Sequence, residues 1–218
     1  MSTPPLSSTE RTKLGRKPQR GATDRDELYA VLDAGLICHL AVVVGDYPRV
    51  IPTAYGRDDD TLYLHGSTGS SILAAANGRQ VCVTITHLDG MVCARSVNNH
   101  SMNYRSAVIY GEARVLTDDS ERLRALRVIT EQLIPGRWSG AREPNRKELA
   151  ATAVLAVPLA EASVKSRSGA PIDQDEDYAL GYWAGVIPVR TVFGEPEPDT
   201  DLPVPEHIYT RAGHTLSG

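Results

Sequence analysis

The stretch from residue 37 to residue 116 consists of short apolar segments separated by clusters of turn residues. The segments 61–65 and 81–86 alternate apolar and polar side chains with a period of two, and the segment 37–44 is β-branched and apolar, so each of them predicts a β-strand. Turn-forming Gly, Asp and Asn lie between such segments, which favours hairpins and therefore mainly antiparallel pairing. The predicted fold class is mainly β, an antiparallel sheet closed into a barrel or a sandwich with a few flanking helices.

Particular residues predict local features of this sheet. Pro52 interrupts the second strand, at 49–55, and indicates an edge or a bulge, where backbone groups are free to contact something else. The pair Asp89-Gly90 predicts a hairpin whose second strand begins at Met91. Gly111 predicts a bulge in the strand at 107–116.

Four helices are predicted before and between the strands. Thr23 is the expected N-cap of a helix at 24–34, in which Leu28, Val31 and Leu32 share one face. The remaining helices are expected at 71–76, from 118 or 119 to about 134, and at 145–151; the third has its apolar face at Leu123, Leu126, Thr130 and Leu133. The strand at 154–157 is expected to continue into 162–165.

Composition limits the class of protein and its domain organisation. The chain has 218 residues with 23 Lys and Arg against 27 Asp and Glu, and the net charge of −4 argues against a protein built to bind nucleic acid. Its apolar runs are too short for a membrane span, the first 12 residues have no apolar core of a signal peptide, and three cysteines fit reduced thiols in the cytoplasm. Residues 1–20 are predicted to be an N-terminal arm, residues 21–193 the domain, and residues 194–218 a Pro-rich tail.

The loop from His65 to Ser71 is the strongest local indication of a ligand site. Its small residues let the backbone approach a ligand, and the helix that follows directs free N–H groups at the loop, which favours a phosphate. An ordinary polar turn with a serine cap remains the alternative for this segment alone. Arg49 and Arg105 are placed to reach a phosphate, whereas a surface ion pair is the alternative for Arg49. His39 is expected in the core or the barrel lumen, and no His or Cys spacing indicates a metal site.

Four segments taken together resemble a known family. They are Lys17 to Arg20, Val50 to Tyr55, Tyr63 to Ser71, and Asn103 to Val115. Their order and spacing resemble the pyridoxamine 5′-phosphate oxidase-like, FMN-binding split-barrel proteins, and within them the branch of the 5-nitroimidazole-resistance (Nim) proteins. The resemblance spans roughly residues 14 to 190 and implies an antiparallel split β-barrel.

The resemblance also implies a cofactor, a partner and a set of site residues. It implies a homodimer with FMN at the subunit interface, main-chain contacts to the flavin from Val50 to Tyr55, and residues Asn103 to Arg105 contributed by the other subunit. His65 matches the Nim histidine near the flavin and is the expected catalytic residue. The expected cofactor-binding residues are Arg49, Val50, Ile51, Pro52, Thr53, Tyr55, His65, Gly66, Ser67, Ser70, Ser71, Asn103, Tyr104, Arg105, Lys165 and Trp183.

Two departures from the B6 oxidases narrow the implied function. Those enzymes carry Arg and Lys in the phosphate loop and a late Arg-x-His segment, whereas this loop carries serines and Arg190 is followed by no histidine. The resemblance therefore implies an FMN-dependent oxidoreductase acting on another small molecule rather than on pyridoxamine phosphate. A deazaflavin (F420) or haem remains an alternative cofactor, and a carrier or sensor without turnover remains an alternative function.

Overall fold

The computed structural model describes residues 5–211, and strands form most of its regular structure. The strands are β1 (Ile37–Val44), β2 (Tyr47–Asp58), β3 (Thr61–Ser67), β4 (Arg79–Cys93), β5 (Ser101–Val115), β6 (Thr152–Pro158), β7 (Glu161–Arg167) and β8 (Gly185–Pro188). The α-helices are α1 (Arg25–Asp33), α2 (Ser71–Ala76), α3 (Asp119–Leu133), α4 (Arg146–Ala151) and α5 (Glu206–Arg211). The predicted fold class, a mainly antiparallel β domain with a few helices, is confirmed.

Six strands close into a ring. The order β1-β2-β3-β6-β5-β4 returns to β1, and every neighbouring pair is antiparallel. The long β4–β5 hairpin contributes one end to this ring and extends beyond it at the other, where β8 pairs with β4 and β7 pairs with β5. The result is a split barrel whose hairpin serves both the barrel and an outer ladder of strands.

The barrel interior is aliphatic. Leu40, Leu62, Leu64 and Ile109 are fully buried there, in keeping with the low content of aromatic residues. A second apolar cluster lies outside the barrel, where Ala125 and Ile129 of α3 pack on residues of β3 and β6. The two buried residues each lie one position before the predicted core residues Leu126 and Thr130 of α3.

A glycine allows α3 to lie against the barrel wall. A Cβ atom at Gly56 of β2 would lie 2.7 Å from the main-chain nitrogen of Ile129 and 2.8 Å from its Cα. Real Cβ contacts do not become this short, so the approach of helix to strand depends on the missing side chain.

Two predictions about the sheet are wrong because pairing with distant strands overrides the local turn signal. Asp89-Gly90 forms no hairpin: β4 runs through it with a register shift between Leu88 and Gly90, since β5 pairs along one edge and β8 along the other. Gly111 is not a bulge, because it pairs regularly with Val81. Its missing side chain instead makes room for the Pro158 ring, 3.1 Å from a Cβ at this position.

Three further local predictions are corrected. The segment 162–165 does not continue the strand before it, because β6 pairs with β3 and β5 whereas β7 pairs along a different stretch of β5. The side chain of Asp24 rather than Thr23 caps α1, accepting from the main-chain N–H of Asp26. His39 lies on the outer face of β1 and is exposed, so it belongs to neither core nor lumen.

Both ends of the described chain pack on the domain. Leu6 is buried, the Ser7 N–H donates to the carbonyl of Ala162 at 2.9 Å, and Arg11 forms an ion pair with Glu161 of β7. In the tail, α5 lies against the end of α3, and Arg211 donates to the carbonyl of Gln132 at 3.4 Å. Residues 1–4 of the predicted arm and 212–218 of the predicted tail lie outside the described residues.

Candidate functional site

The candidate site begins where β2 changes neighbours. β2 pairs with β1 from Tyr47 to Ala54, but with β3 only from Tyr55 to Asp58. Among the described strands, none pairs with the second edge of β2 between Tyr47 and Ala54. The prediction that Pro52 marks an edge is confirmed, and main-chain groups along this edge are available to a ligand.

A groove of about 400 Å³ runs along this open edge and is lined by Arg49, Val50 and Ile51 of β2 together with Ser71 and Ile72 of α2. The guanidinium Nη1 of Arg49 donates to the hydroxyl of Ser71 at 3.2 Å. No carboxylate among residues 5–211 lies within 4.0 Å of the Arg49 guanidinium. An exposed cation without a counter-charge, beside a hydroxyl and an open strand edge, is chemically suited to an anionic ligand. The lining residue Ile72 lies just beyond the predicted loop and was missed by the sequence analysis.

The serines of the β3–α2 loop have different partners. The Ser70 hydroxyl caps α2 by accepting from the Leu73 N–H at 3.5 Å, and the Ser67 hydroxyl accepts from the Gly69 N–H at 3.1 Å. Ser71 is therefore the serine whose hydroxyl is directed at Arg49. Gly66 lets Leu73 of α2 pack over the strand, since a Cβ there would lie 2.6 Å from the Leu73 side chain.

His65 lies on β3 beside the open edge of β2. Its carbonyl accepts from the Thr53 hydroxyl at 3.5 Å, and its half-buried ring has an Nδ1 atom that is buried without a hydrogen-bond partner among the described residues. Burial lowers the pKa of the His65 imidazole, because the protonated ring would lose hydration. The neutral ring therefore holds one proton and has one free acceptor nitrogen.

Four other predicted site residues belong to a second region, on β5 and β7. Asn103 is buried and bonds to Arg167 and to the Gly169 carbonyl, whereas Tyr104 is half-buried on β5. Arg105 forms an ion pair with Asp89 at 2.9 Å, and Lys165 donates to the Arg16 carbonyl at 2.8 Å. Within residues 5–211, no hydrogen bond or ion pair joins these four residues to the groove residues of β2 and α2.

Tyr55 and Trp183 lie in opposite environments. Tyr55 is fully buried in the barrel, where its hydroxyl donates to the Leu32 carbonyl at 2.5 Å, so its side chain faces away from the groove. Trp183 lies before β8, is 69% exposed, and packs closely over Gly185. Of Tyr55 and Trp183, only Trp183 therefore presents its ring at the surface.

The structure also brings together two basic segments that are distant in the sequence. Arg16, Lys17 and Arg20 of the N-terminal segment lie beside Lys165 and Arg167 of β7. Each segment is visibly basic in the sequence, and the main-chain bridge between Gly21 and Lys165 helps to bring the two together.

Metal and membrane features were sought in the same part of the chain. Within residues 5–211, no three His, Cys, Asp or Glu side chains lie close enough to hold a metal ion. No helix in that range has both the length and the apolar character needed to cross a bilayer.

These features place the chain in the class of split-barrel proteins. They are a six-stranded antiparallel barrel, an open strand edge, and a short serine-capped helix beside it. Residues 24–166 match the family model described as pyridoxamine 5′-phosphate oxidase. This chain belongs to that family, and its fold is the family's flavin-binding fold. A comparison with curated protein sequences gives no match.

Two solved structures are similar over nearly the whole chain. The flavocytochrome Anf3 from Azotobacter vinelandii is 38% identical with a TM-score of 0.90, and the match covers 96% of this chain and 100% of that one. The FAD and haem binding protein from Mycobacterium smegmatis is also 38% identical with a TM-score of 0.86, covering 91% of this chain and 100% of that one. A structure described as a 5-nitroimidazole antibiotic resistance protein from Bacteroides thetaiotaomicron shares the fold at 21% identity and a TM-score of 0.56, over 66% of this chain and 85% of that one.

Proposed function

We propose that the protein binds a flavin in the groove on the open edge of β2 and uses it to transfer electrons to or from a small molecule. One observation carries the proposal: two structures at 38% identity, matched over their full length, are described as a flavocytochrome and as an FAD and haem binding protein. The groove fits such a cofactor, because it combines an unpaired guanidinium with a free strand edge.

The groove residues have distinct roles in this proposal. Arg49 and the Ser71 hydroxyl hold the phosphate, as a charge-assisted pair of donors. The main-chain groups of Val50, Ile51 and Thr53 bind the polar edge of the flavin ring, in the manner of an added strand. FMN, F420 and FAD all carry a phosphate next to the ribityl chain, so this arrangement suits each of them.

The bound flavin supplies the redox chemistry, and the protein supplies orientation and proton transfer. His65 is the proposed catalytic residue. Because burial keeps its ring neutral, the imidazole can donate or accept a proton beside the strand edge on which the flavin ring binds.

A homodimer is part of the proposal. Met91 of β4 lies between Met102 of β5 and Ile187 of β8, and these neighbours are 43%, 48% and 54% exposed. Such a row of exposed apolar side chains across three strands favours burial against a second copy of the chain. In this dimer Asn103, Tyr104 and Arg105 approach the partner's flavin.

Haem is the second candidate cofactor, favoured by the same two relatives. With haem or flavin bound but no turnover, the protein would act as a carrier or sensor. Its three free cysteines fit a reducing compartment, and we propose the cytoplasm.

The absorbance spectrum of the purified protein, with mass identification of whatever co-purifies, tests the proposal. We expect flavin absorbance, together with a haem band if both cofactors bind. A colourless protein that stays colourless after FMN, FAD, F420 and haem are added would contradict it. Single-turnover reduction by NADH, NADPH or reduced F420 then distinguishes an oxidoreductase from a carrier.

A further inference from the structure

Five basic side chains converge where the N-terminal segment crosses the end of β7. They are Arg16, Lys17, Arg20, Lys165 and Arg167. Their mutual repulsion, with Arg20 contributing most, lowers the pKa of Lys17. The Lys165 ammonium donates to the Arg16 carbonyl at 2.8 Å, which ties the two segments together.

The protein itself does not neutralise this charge. Within residues 5–211, none of the five side chains forms an ion pair, whereas Arg11, Arg25, Arg57 and Arg95 each have a carboxylate partner. Such clusters of like charge cost stability unless an anion joins them.

Arg167 is the clearest example of a positive charge with no carboxylate partner among the described residues. It is only 9% exposed, and its guanidinium donates to the carbonyls of Gly169 and Ala170 and to the side-chain oxygen of Asn103. All three acceptors are neutral. A buried guanidinium held by neutral acceptors keeps its full positive charge for a ligand.

A cleft of about 460 Å³ opens at this cluster, and we call it the basic cleft. Arg20 and Arg167 line it together with the hydroxyl residues Ser166 and Ser168, and Glu27 is the one carboxylate in its wall. The volume lies within the range of about 300–1,000 Å³ that small-molecule sites occupy. Cations and hydroxyls in one cleft match the acceptor oxygens of a phosphate chain.

We propose that the basic cleft binds the diphosphate of a dinucleotide. Of the five cations, Arg20 and Arg167 line the cleft. A diphosphate offers several anionic oxygens to both of these guanidinium groups, whereas a single carboxylate has only one charge for the two. The inference rests on the proposed flavin function. In that function Arg49 and Ser71 already hold the flavin's phosphate, so the diphosphate in the basic cleft belongs to the electron donor, a nicotinamide dinucleotide.

Calorimetric titration of the FMN-loaded protein, whose flavin carries no diphosphate, with inorganic pyrophosphate tests the site directly. The variant Lys17→Asn/Arg20→Gln removes two exposed or half-exposed charges, and asparagine tolerates the left-handed backbone of Lys17 (φ 53°). Arg146→Gln/Lys147→Gln on the exposed face of α4 is the matched control, with the same change in net charge. We expect about tenfold or greater weakening in the cleft variant and less than about twofold in the control. Absence of binding to the unmodified protein, or equal weakening in both variants, would overturn the proposal.

Two further measurements distinguish the source of the diphosphate. Loss of affinity for FAD but not for FMN in the cleft variant would assign the diphosphate to the flavin and overturn its assignment to the donor. If it belongs to the electron donor, both flavins bind unchanged and the KM for NADH or NADPH rises. Pyrophosphate binding that is accompanied by neither change would refute the assignment to a dinucleotide. Normal FMN binding in every variant would leave the proposed function standing, whereas failure of the unmodified protein to bind FMN, FAD or F420 would remove that function itself.

Discussion

Substituting Gly56 tests the packing of α3 on the barrel. In Gly56→Ala the new Cβ would lie 2.7–2.8 Å from three main-chain atoms of Val128 and Ile129. Carbon atoms in contact prefer about 3.5–4.0 Å, so helix and strand must separate by about 0.7–1 Å. Overpacking of this kind costs about 1–3 kcal/mol. We expect the upper part of that range, about 2–3 kcal/mol, because the contacts are main-chain atoms of a helix rather than a flexible side chain.

Thermal unfolding at fixed protein concentration measures this cost. For a chain of this length, about 2–3 kcal/mol lowers Tm by about 4–12 °C. Gly181→Ala is the matched control, since nothing lies within 4 Å of a Cβ there. Flavin affinity should not change, because the groove lies on the other half of β2. A Gly56→Ala protein that melts within about 1 °C of the original would refute the reasoning. So would recovery of Tm on shortening Ile129 to Val, because the predicted clash involves main-chain atoms.

Three further predictions concern single side chains. Arg49→Gln should weaken flavin binding about tenfold or more in a fluorescence titration, through loss of a charge-assisted contact, whereas Lys147→Gln should not; equal affinities would exclude Arg49 from the site. Because burial lowers the pKa of His65, the unfolded chain takes up a proton on this ring below about pH 6.5 while the folded protein does not. The free energy of unfolding should therefore decrease as the pH is lowered through that window. His65→Gln should reduce the slope of urea-unfolding free energy against pH. Burial raises the pKa of Cys38 to about 12, so iodoacetamide at pH 8 should label the half-buried Cys93 well before Cys38, as followed by mass spectrometry; comparable labelling would contradict the buried position of Cys38.

Local signals in the sequence were sufficient for the short helices. Asn145 caps α4 through a reciprocal pair of hydrogen bonds with Glu148, and Ser70 caps α2, so each start is encoded within a few residues. The hairpin predicted at Asp89-Gly90 is wrong because this turn signal is overridden by a distant contact. Its conformation is set by β8, which begins far along the chain at Gly185, and no local pattern reports that pairing.

The sequence predicts the candidate site where its residues lie close together in the chain, but not where β2 changes the strand it pairs with. The family resemblance implies that Tyr55 lies at the ligand edge with Arg49, but β2 exchanges neighbours at this point and the Tyr55 side chain is buried in the barrel. Likewise, the basic segments around Lys17 and Arg167 are each visible in the sequence. Their convergence depends on the docking of the N-terminal segment on β7, which is a tertiary contact.

That docking has a consequence for how the chain folds as it is synthesised. Ser7 and Arg11 leave the ribosome about 150 residues before their partners Ala162 and Glu161. Even at the fastest translation rates, of about 20 residues per second, the N-terminal segment remains without its partners for several seconds. The N-terminal segment therefore reaches its final place only after β7 has been made. During that interval Leu6 and the basic residues that follow it are accessible to chaperones and proteases, and the basic cleft becomes complete only after the barrel has closed.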